Sequence, residues 1–366
     1  LTTQAAQKKD AADDVAGRAA RLVAESFVFN ATEAPTSGRQ PARMNFTGLD
    51  PIDEALLEGW RAQGYNAVLI PQGFLDVTTL GPVAQPMEHA MRVFARWNAC
   101  VASRPDELML LTRPQSFDQA RASGRIGFLV GTHSGAEIFR TVDDVDVYFD
   151  VGLRHALLTC FGQNRLGTSA DEGADRDSGL TRYGRVIVER MNRLGMAVDV
   201  SHSGPKTRRE AMDASSKPIL ITHGNVAAIC PTARNNSDEM LQALAANGGV
   251  IGLMFWRPMV RLEDPVTLEH VLDHFDHVCQ LIGPQHVGLG LETPMIGFDA
   301  CENSFGPAAK VSYLKSVRSM DIPELCGPDR VRTLVAGLLR RGYSDADIAG
   351  MLGGNFVRAF KTIMAV

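Results

Sequence analysis

Eight short apolar segments, each rich in β-branched or aromatic residues, recur along the chain with amphipathic stretches between them. This alternation constrains the fold more than any other feature of the sequence. The segments are ESFVFN (25–30), NAVLIP (66–71), RIGFLVG (125–131), LRHALLT (153–159), MAVDVS (196–201), PILITH (218–223), GVIGLMF (249–255) and HVGLGLE (286–292). Stretches such as TRYGRVIVERMNRLG and LEHVLDHFDHVCQLIG place apolar residues at helical spacing. Repeated strand-helix order implies a parallel sheet covered on both faces. Eight units close most economically into an α/β (β/α)8 TIM barrel, and no GxGxxG opens the first helix to favour a dinucleotide fold. The expected organisation is one domain over 1–366. It comprises an N-terminal helix (1–25), eight βα units (26–292) and a C-terminal helical extension (293–366) ending in a helix packed on the barrel.

A chain of 366 residues with 45% hydrophobic and 22% charged content can build such a core, and it has no apolar run of eighteen that would span a bilayer. The net charge of −5 and the lack of a basic cluster exclude sequence-independent nucleic-acid binding. A small-molecule substrate is the expected partner. The six cysteines show no CxxC pair, and apolar surroundings such as LLTCFG and AAICPT suit buried free thiols. The chain begins at Leu1 rather than Met, as removal of a leader would leave it. The expectation leans to an exported or periplasmic protein, with a cytoplasmic one left open.

Ligands and acid–base groups of a parallel barrel sit just past the carboxyl ends of its strands. Those exits read Asn30, Ala31, Thr32 and Glu33 after the first strand and Thr132 and His133 after the third. Cys160, His202, His223 and Glu292 follow the fourth, fifth, sixth and eighth. His133, His202 and His223 could share one zinc ion, leaving a fourth position for water, with Glu292 as general base. Each histidine also has a plainer reading, as a helix cap or the partner of a buried carbonyl. His89 and the series His270, His274 and His277 are read as surface or helix-packing residues, since no HExxH frame accompanies them. The long polar stretch 162–184 follows the fourth strand and could act as a lid.

The runs GLTRYGRVIVERMNRLGMAVDVSHSG, ITHGNVAAICPTARNNSDEMLQALAANGGVIGLMF, HVGLGLE and GGNFVRAF resemble the membrane (renal) dipeptidase family of metallopeptidases, most specifically over about 150–292. The resemblance implies an amidohydrolase-type TIM barrel, a pair of zinc ions, dipeptide substrates with a free carboxylate, and a homodimer. On the family pattern His202 and His223 match the histidine ligands of one metal, and Arg234 matches the arginine that takes the substrate carboxylate. Asn235 beside it, Cys160 and Thr32 fall at substrate-facing positions.

Departures from that pattern are equally specific. The family's Asp-x-His-x-Asp motif is replaced by Asn30-Ala31-Thr32-Glu33-Ala34, which removes both ligands of the other metal. Glu33 stands out of register, and strand alternation turns it from the barrel mouth. His133 replaces the metal-bridging glutamate, Cys160 a histidine and Glu292 an aspartate. The expectation is a dipeptidase-like hydrolase with one zinc ion or none, a binuclear centre being disfavoured. A metal-independent lyase or isomerase of a specialised biosynthetic pathway is the alternative, and a catalytically silent binding protein the third reading.

Overall fold

The computed structural model describes residues 2–34, 52–72, 87–133, 138–301 and 319–366. Nine parallel strands are present: β1 (Val28–Asn30), β2 (Tyr65–Gln72), β3 (Leu108–Leu110), β4 (Ile126–Thr132), β5 (His155–Leu157), β6 (Ala197–Asp199), β7 (Leu220–Gly224), β8 (Val250–Leu253) and β9 (Val287–Leu289). Their order is β2-β1-β9-β8-β7-β6-β5-β4, and pairing of β2 with β4 from Ala67↔Gly127 to Gln72↔Thr132 closes the barrel. All eight predicted strands are therefore staves of the closed barrel.

β3 was not anticipated. It pairs Leu108–Leu110 with Ile126–Phe128 of β4, whereas β5 pairs only with Gly131 and Thr132. β3 thus occupies the lower part of the β4 edge that the short β5 leaves unpaired. Its sequence, LML, is too short to signal a strand by alternation.

Alternation along the staves divides the side chains between two cores. Phe29, Ala31, Ala67, Leu69, Leu129, Ala197, Leu220 and Val250 fill the barrel interior. Val28, Val68, Ile70, Phe128, Val198, Ile221 and Ile251 face the surrounding helices. The outer helices carry the stop signals their sequences promise. In Arg182–Leu194 the Thr181 hydroxyl caps the Gly184 amide, and Gly195 ends the helix in the left-handed region at φ 77°.

The expected terminal helix is instead Arg330–Arg340, Asp345–Ala349 and Asn355–Met364, the last two joined by a π-turn at Gly350–Gly354. Phe356 and Phe360 of the last helix lie 5.9 and 5.7 Å from Phe29 inside the barrel. The Asn355 amide donates to Val287 O at the start of β9. This helix therefore plugs the amino-terminal mouth, and the opposite mouth is where the polar strand exits gather. Among the described residues, which include all six cysteines, no disulfide is formed. Among the described residues no helix is long and apolar enough to cross a membrane.

Candidate active site

The carboxyl-terminal mouth brings together the four residues expected to carry chemistry. The ligand atoms of His133, His202, His223 and Glu292 all lie within 4.8 Å of one another. His133 Nε2 is 3.0 Å from His202 Nε2, and Glu292 Oε1 is 3.3, 3.8 and 3.9 Å from the Nε2 atoms of His223, His202 and His133. Ligands at tetrahedral corners about 2.05 Å from a zinc ion stand about 3.3 Å apart. The observed spacings bracket that value.

Close backbone approach makes this convergence possible. A Cβ on Gly290 would come within 1.8 Å of Thr222 O, so only glycine lets the chain leaving β9 approach the end of β7, across β8, where His223 and Glu292 meet. Glu292 itself adopts φ 48°, a left-handed conformation that no other non-glycine residue among the described ones takes. Three hydrogen bonds secure the bend: Glu292 N to Thr32 O (3.0 Å), Leu291 N to Asn30 Oδ1 (3.0 Å) and Arg330 Nη1 to Thr293 O (2.6 Å).

The hydrogen-bond network assigns the His223 tautomer. Thr32 Oγ1 donates its proton to Ala31 O (2.7 Å), and Thr222 Oγ1 donates to Asp199 Oδ2. Both hydroxyl oxygens can therefore only accept from His223 Nδ1, which lies 3.2 and 3.0 Å from them. The proton is on Nδ1. Nε2 is left as a buried lone pair with no protein donor, facing Glu292, whose Oε2 is also buried and unpartnered. A cation, or a proton on Glu292, answers that lone pair.

Electrostatics favour neutral ligands. Burial, reinforced by the Arg234 charge, pushes His133 down to about 4 and holds His202 and His223 well below the ordinary imidazole range. Burial pushes Glu292 up to about 7 against the pull of Arg234. Three imidazoles unprotonated at neutral pH, with one carboxyl near its titration point, form a donor set suited to a divalent transition metal.

Beneath the cluster runs a polar chain that the sequence reading missed. Asp199 accepts from Ser201 N (2.9 Å), Ser201 Oγ (2.5 Å), Thr222 N (3.3 Å), Thr222 Oγ1 and His155 Nε2 (2.9 Å). Burial alone would raise its pKa, but the His155 hydrogen bond and charge, with help from His223 and Ser201, hold it well below the usual carboxylate range. Gly131 makes room for His155, because a Cβ there would lie 2.5 Å from Nδ1. An Asp inside AVD and a His inside HAL, each in a buried strand, were the available signals.

Other expected residues are placed differently. Arg234 is buried; Nη1 bonds Ser201 O, while Nε and Nη2 have no acceptor among the described residues. Cys160 Sγ sits 3.7 Å from His202 Nδ1, at the edge of the site. Asn235, expected at the substrate, gives both amide protons to the carbonyls of Cys230 (2.8 Å) and Met259 (2.9 Å) and so braces its own loop. Thr32, also expected at the substrate, is engaged with His223 instead. Glu33 is buried in a separate cluster with Asn30 (2.5 Å), Trp60 (3.2 Å) and Arg330 (3.5 Å).

His274 is buried, accepting from Val226 N and bonding Val260 O, and His270 and His277 pair with Thr267 and Asp238. The side chain of His89 lies outside the described residues. The stretch 162–184 is anchored: Ala170 N donates to His202 O (2.8 Å), and the Asp177 carboxylate caps Lys206 N and Thr207 N. Part of 293–310, the stretch that follows the eighth predicted strand, lies outside the described residues.

Known proteins share the family and the fold of this chain. A model of the membrane dipeptidase family (peptidase family M19) matches residues 55–301. The chain belongs to that family. It is 33% identical over 244 residues to the dipeptidase verJ of Clonostachys rogersoniana, which covers 67% of this chain and 57% of that one. It is also 33% identical over 242 residues to the dipeptidase aclJ of Aspergillus oryzae, covering 66% of this chain and 52% of that protein. The chain thus spans little more than half the length of these relatives. An amidohydrolase from Pseudomonas aeruginosa shares the fold with a TM-score of 0.80 at 22% identity, over 95% of this chain and 99% of the other. A metallopeptidase from Rhodobacter sphaeroides, liganded with a phosphinate mimic of the dipeptide L-Ala-D-Ala, has a TM-score of 0.69 at 18% identity, over 92% of this chain and 99% of the other.

Proposed function

We propose that this member of the dipeptidase family hydrolyses the amide bond of a small dipeptide-like carboxylate at a single-metal centre. The observation that carries the reading is the buried lone pair of His223 Nε2, held within 4.8 Å of the ligand atoms of His133, His202 and Glu292. His133, His202 and His223 would hold the ion. A second ion finds no carboxylate at the end of β1, because Thr32 is engaged with His223 and Glu33 with Arg330. A bound zinc ion supplies Lewis acidity and lowers the pKa of a neighbouring water toward ~7.

The remaining work falls to side chains. Arg234 offers Nε and Nη2 to the substrate carboxylate, fixing the scissile bond relative to the histidines. Glu292, with its pKa raised to about 7, takes a proton from the attacking water at Oε2 and returns it to the leaving nitrogen. Asp199 and Thr222 keep the His223 proton on Nδ1 and its lone pair directed at the site.

A metal-independent lyase or isomerase is the second reading, favoured by one observation: Glu292 Oε1 lies 3.3 Å from His223 Nε2, so the two can share a proton without an ion. Metal analysis and chelation separate the two. The hydrolase should carry about one zinc per chain and lose amide cleavage when stripped, with activity restored by zinc. Turnover undiminished by chelation, and lost in His223→Ala, would establish the second reading instead.

A further inference from the structure

Asp171 lies in the 3-10 turn Ala170–Glu172, within the polar stretch that follows β5. The turn is fixed against the metal-ligand strand exit. Ala170 N donates to His202 O (2.8 Å), Ser169 bridges Ser203, and the Ser169 hydroxyl accepts from Asp171 N (3.2 Å). Although the backbone is well tied, both carboxylate oxygens of Asp171 are buried without a partner among the described residues. Buried carboxylates other than Glu292 differ. Asp199 accepts from five donors, Asp177 caps a helix, and Glu33 holds Asn30, Trp60 and Arg330.

Arg234 presents the complementary case. Its guanidinium is tied to Ser201 O, on the same strand exit, and its Nε and Nη2 are buried without acceptors. Arg234 is the chief charge opposing the upward push of burial on the Asp171 pKa, yet the two side chains form no ion pair. Two unsatisfied, oppositely charged groups therefore border one segment, residues 201–203. A buried carboxylate without donors destabilises the fold, and such a group persists where a ligand supplies the missing donors.

We propose that Asp171 is a specificity residue that receives an ammonium group of the substrate, beside the carboxylate taken by Arg234. The inference rests on the dipeptide-like reading above. The ammonium can be the substrate's free α-amine or a basic side chain on its carboxylate-bearing residue, and suitable probes distinguish these sources.

The test is calorimetric binding of alanyl-alanine, N-acetyl-alanyl-alanine and alanyl-lysine to the wild-type chain and to Asp171→Asn. The metal is removed by chelation so that no ligand is consumed. Asp171→Asn should weaken every ligand that carries the ammonium it reads by about ten- to a hundredfold, the range of a buried charge-assisted hydrogen bond, and leave those without it within about twofold. Weakening of alanyl-alanine but not its N-acetyl form assigns the α-amine. Weakening confined to alanyl-lysine assigns the side chain. The thermal midpoint of Asp171→Asn should match or exceed that of the wild type, since no intramolecular bond is lost; a purely structural residue would lower it.

Equal weakening of all three ligands, or of none, overturns the inference while leaving the dipeptide reading standing. If the wild-type chain binds none of the three, both fall together.

Discussion

Asp199→Asn tests how the site is prepared from below. Oδ1 of Asp199 accepts two backbone amides and the Ser201 hydroxyl, whereas Oδ2 accepts Thr222 Oγ1 and His155 Nε2. An asparagine will keep its carbonyl where the two backbone amides cannot move and place its NH2 against Thr222 and His155. Two hydrogen bonds to a charged acceptor are lost at about 1.5–3 kcal/mol each, so the metal-free protein should be destabilised by about 3–5 kcal/mol. The Thr222 hydroxyl proton, displaced from Asp199, has His223 Nδ1 at 3.0 Å as a nearer acceptor than Ser201 Oγ at 3.3 Å. His223 then carries its proton on Nε2, where it bonds Glu292 and no longer offers a lone pair. Zinc affinity should fall by about ten- to a hundredfold. Urea denaturation of the metal-free protein reads the first effect, chelator competition the second, and imidazole nitrogen shifts the tautomer. Ser201→Ala removes a donor from the other oxygen and should leave zinc affinity unchanged. Asp199→Asn with zinc affinity within twofold of wild type and His223 still protonated at Nδ1 would refute the reasoning.

Three further outcomes follow from the same contacts. Glu292→Gln should lower the amide-hydrolysis rate by about 10²–10⁴ with urea stability essentially unchanged; a loss smaller than tenfold, measured at equal zinc content, would remove Glu292 from proton transfer. Arg208→Met deletes a buried guanidinium that donates to Val200 O (3.3 Å), Ser201 O (3.1 Å), Arg234 O (3.0 Å) and Asn236 Oδ1 (2.8 Å). It should cost about 3–5 kcal/mol and raise KM more than it lowers kcat, because the segment carrying Arg234 loosens; an unchanged KM contradicts that role. His274, pushed down to about 4 by burial, stays neutral in the fold while its unfolded counterpart protonates near pH 6.5. Its contribution is complete above about pH 6.5 and is lost as pH falls toward 4, up to about 3 kcal/mol. His274→Gln should flatten the stability profile across that window, and identical slopes would refute the assignment.

The barrel was legible because its information is local and repeated. Each stave carries its own apolar run, and the interior and exterior sets follow from alternation along segments such as NAVLIP and PILITH. His133, His202, His223 and Glu292 were legible because strand ends in a parallel barrel share one mouth. What stayed hidden depends on three-dimensional closure. Asn235 reads like a pocket residue beside Arg234, but a loop reversal turns its amide onto Cys230 and Met259. His155 and Asp199 lie 44 positions apart and meet because β5 and β6 are neighbours in register, Leu157 opposite Asp199. β3 escaped notice because three residues filling the edge beneath a short β5 need no alternation of their own.

The altered end of β1 gains a positive meaning from these contacts. On the family pattern Thr32 and Ala34 look like a lost half-site. In the fold this strand end is held by specific neighbours: Glu33 enters a buried cluster with Arg330, Asn30 joins β1 to the exit of β9 through Leu291 N, and Thr32 commits its own proton to Ala31 O. A carboxylate at position 32 would also have accepted from His223 Nδ1, but it would have placed a second negative charge near Glu292. A hydroxyl whose proton is already engaged fixes the same tautomer without that charge. The strand that could have supplied a second set of ligands instead reinforces the orientation of His223, a proposed ligand of the first.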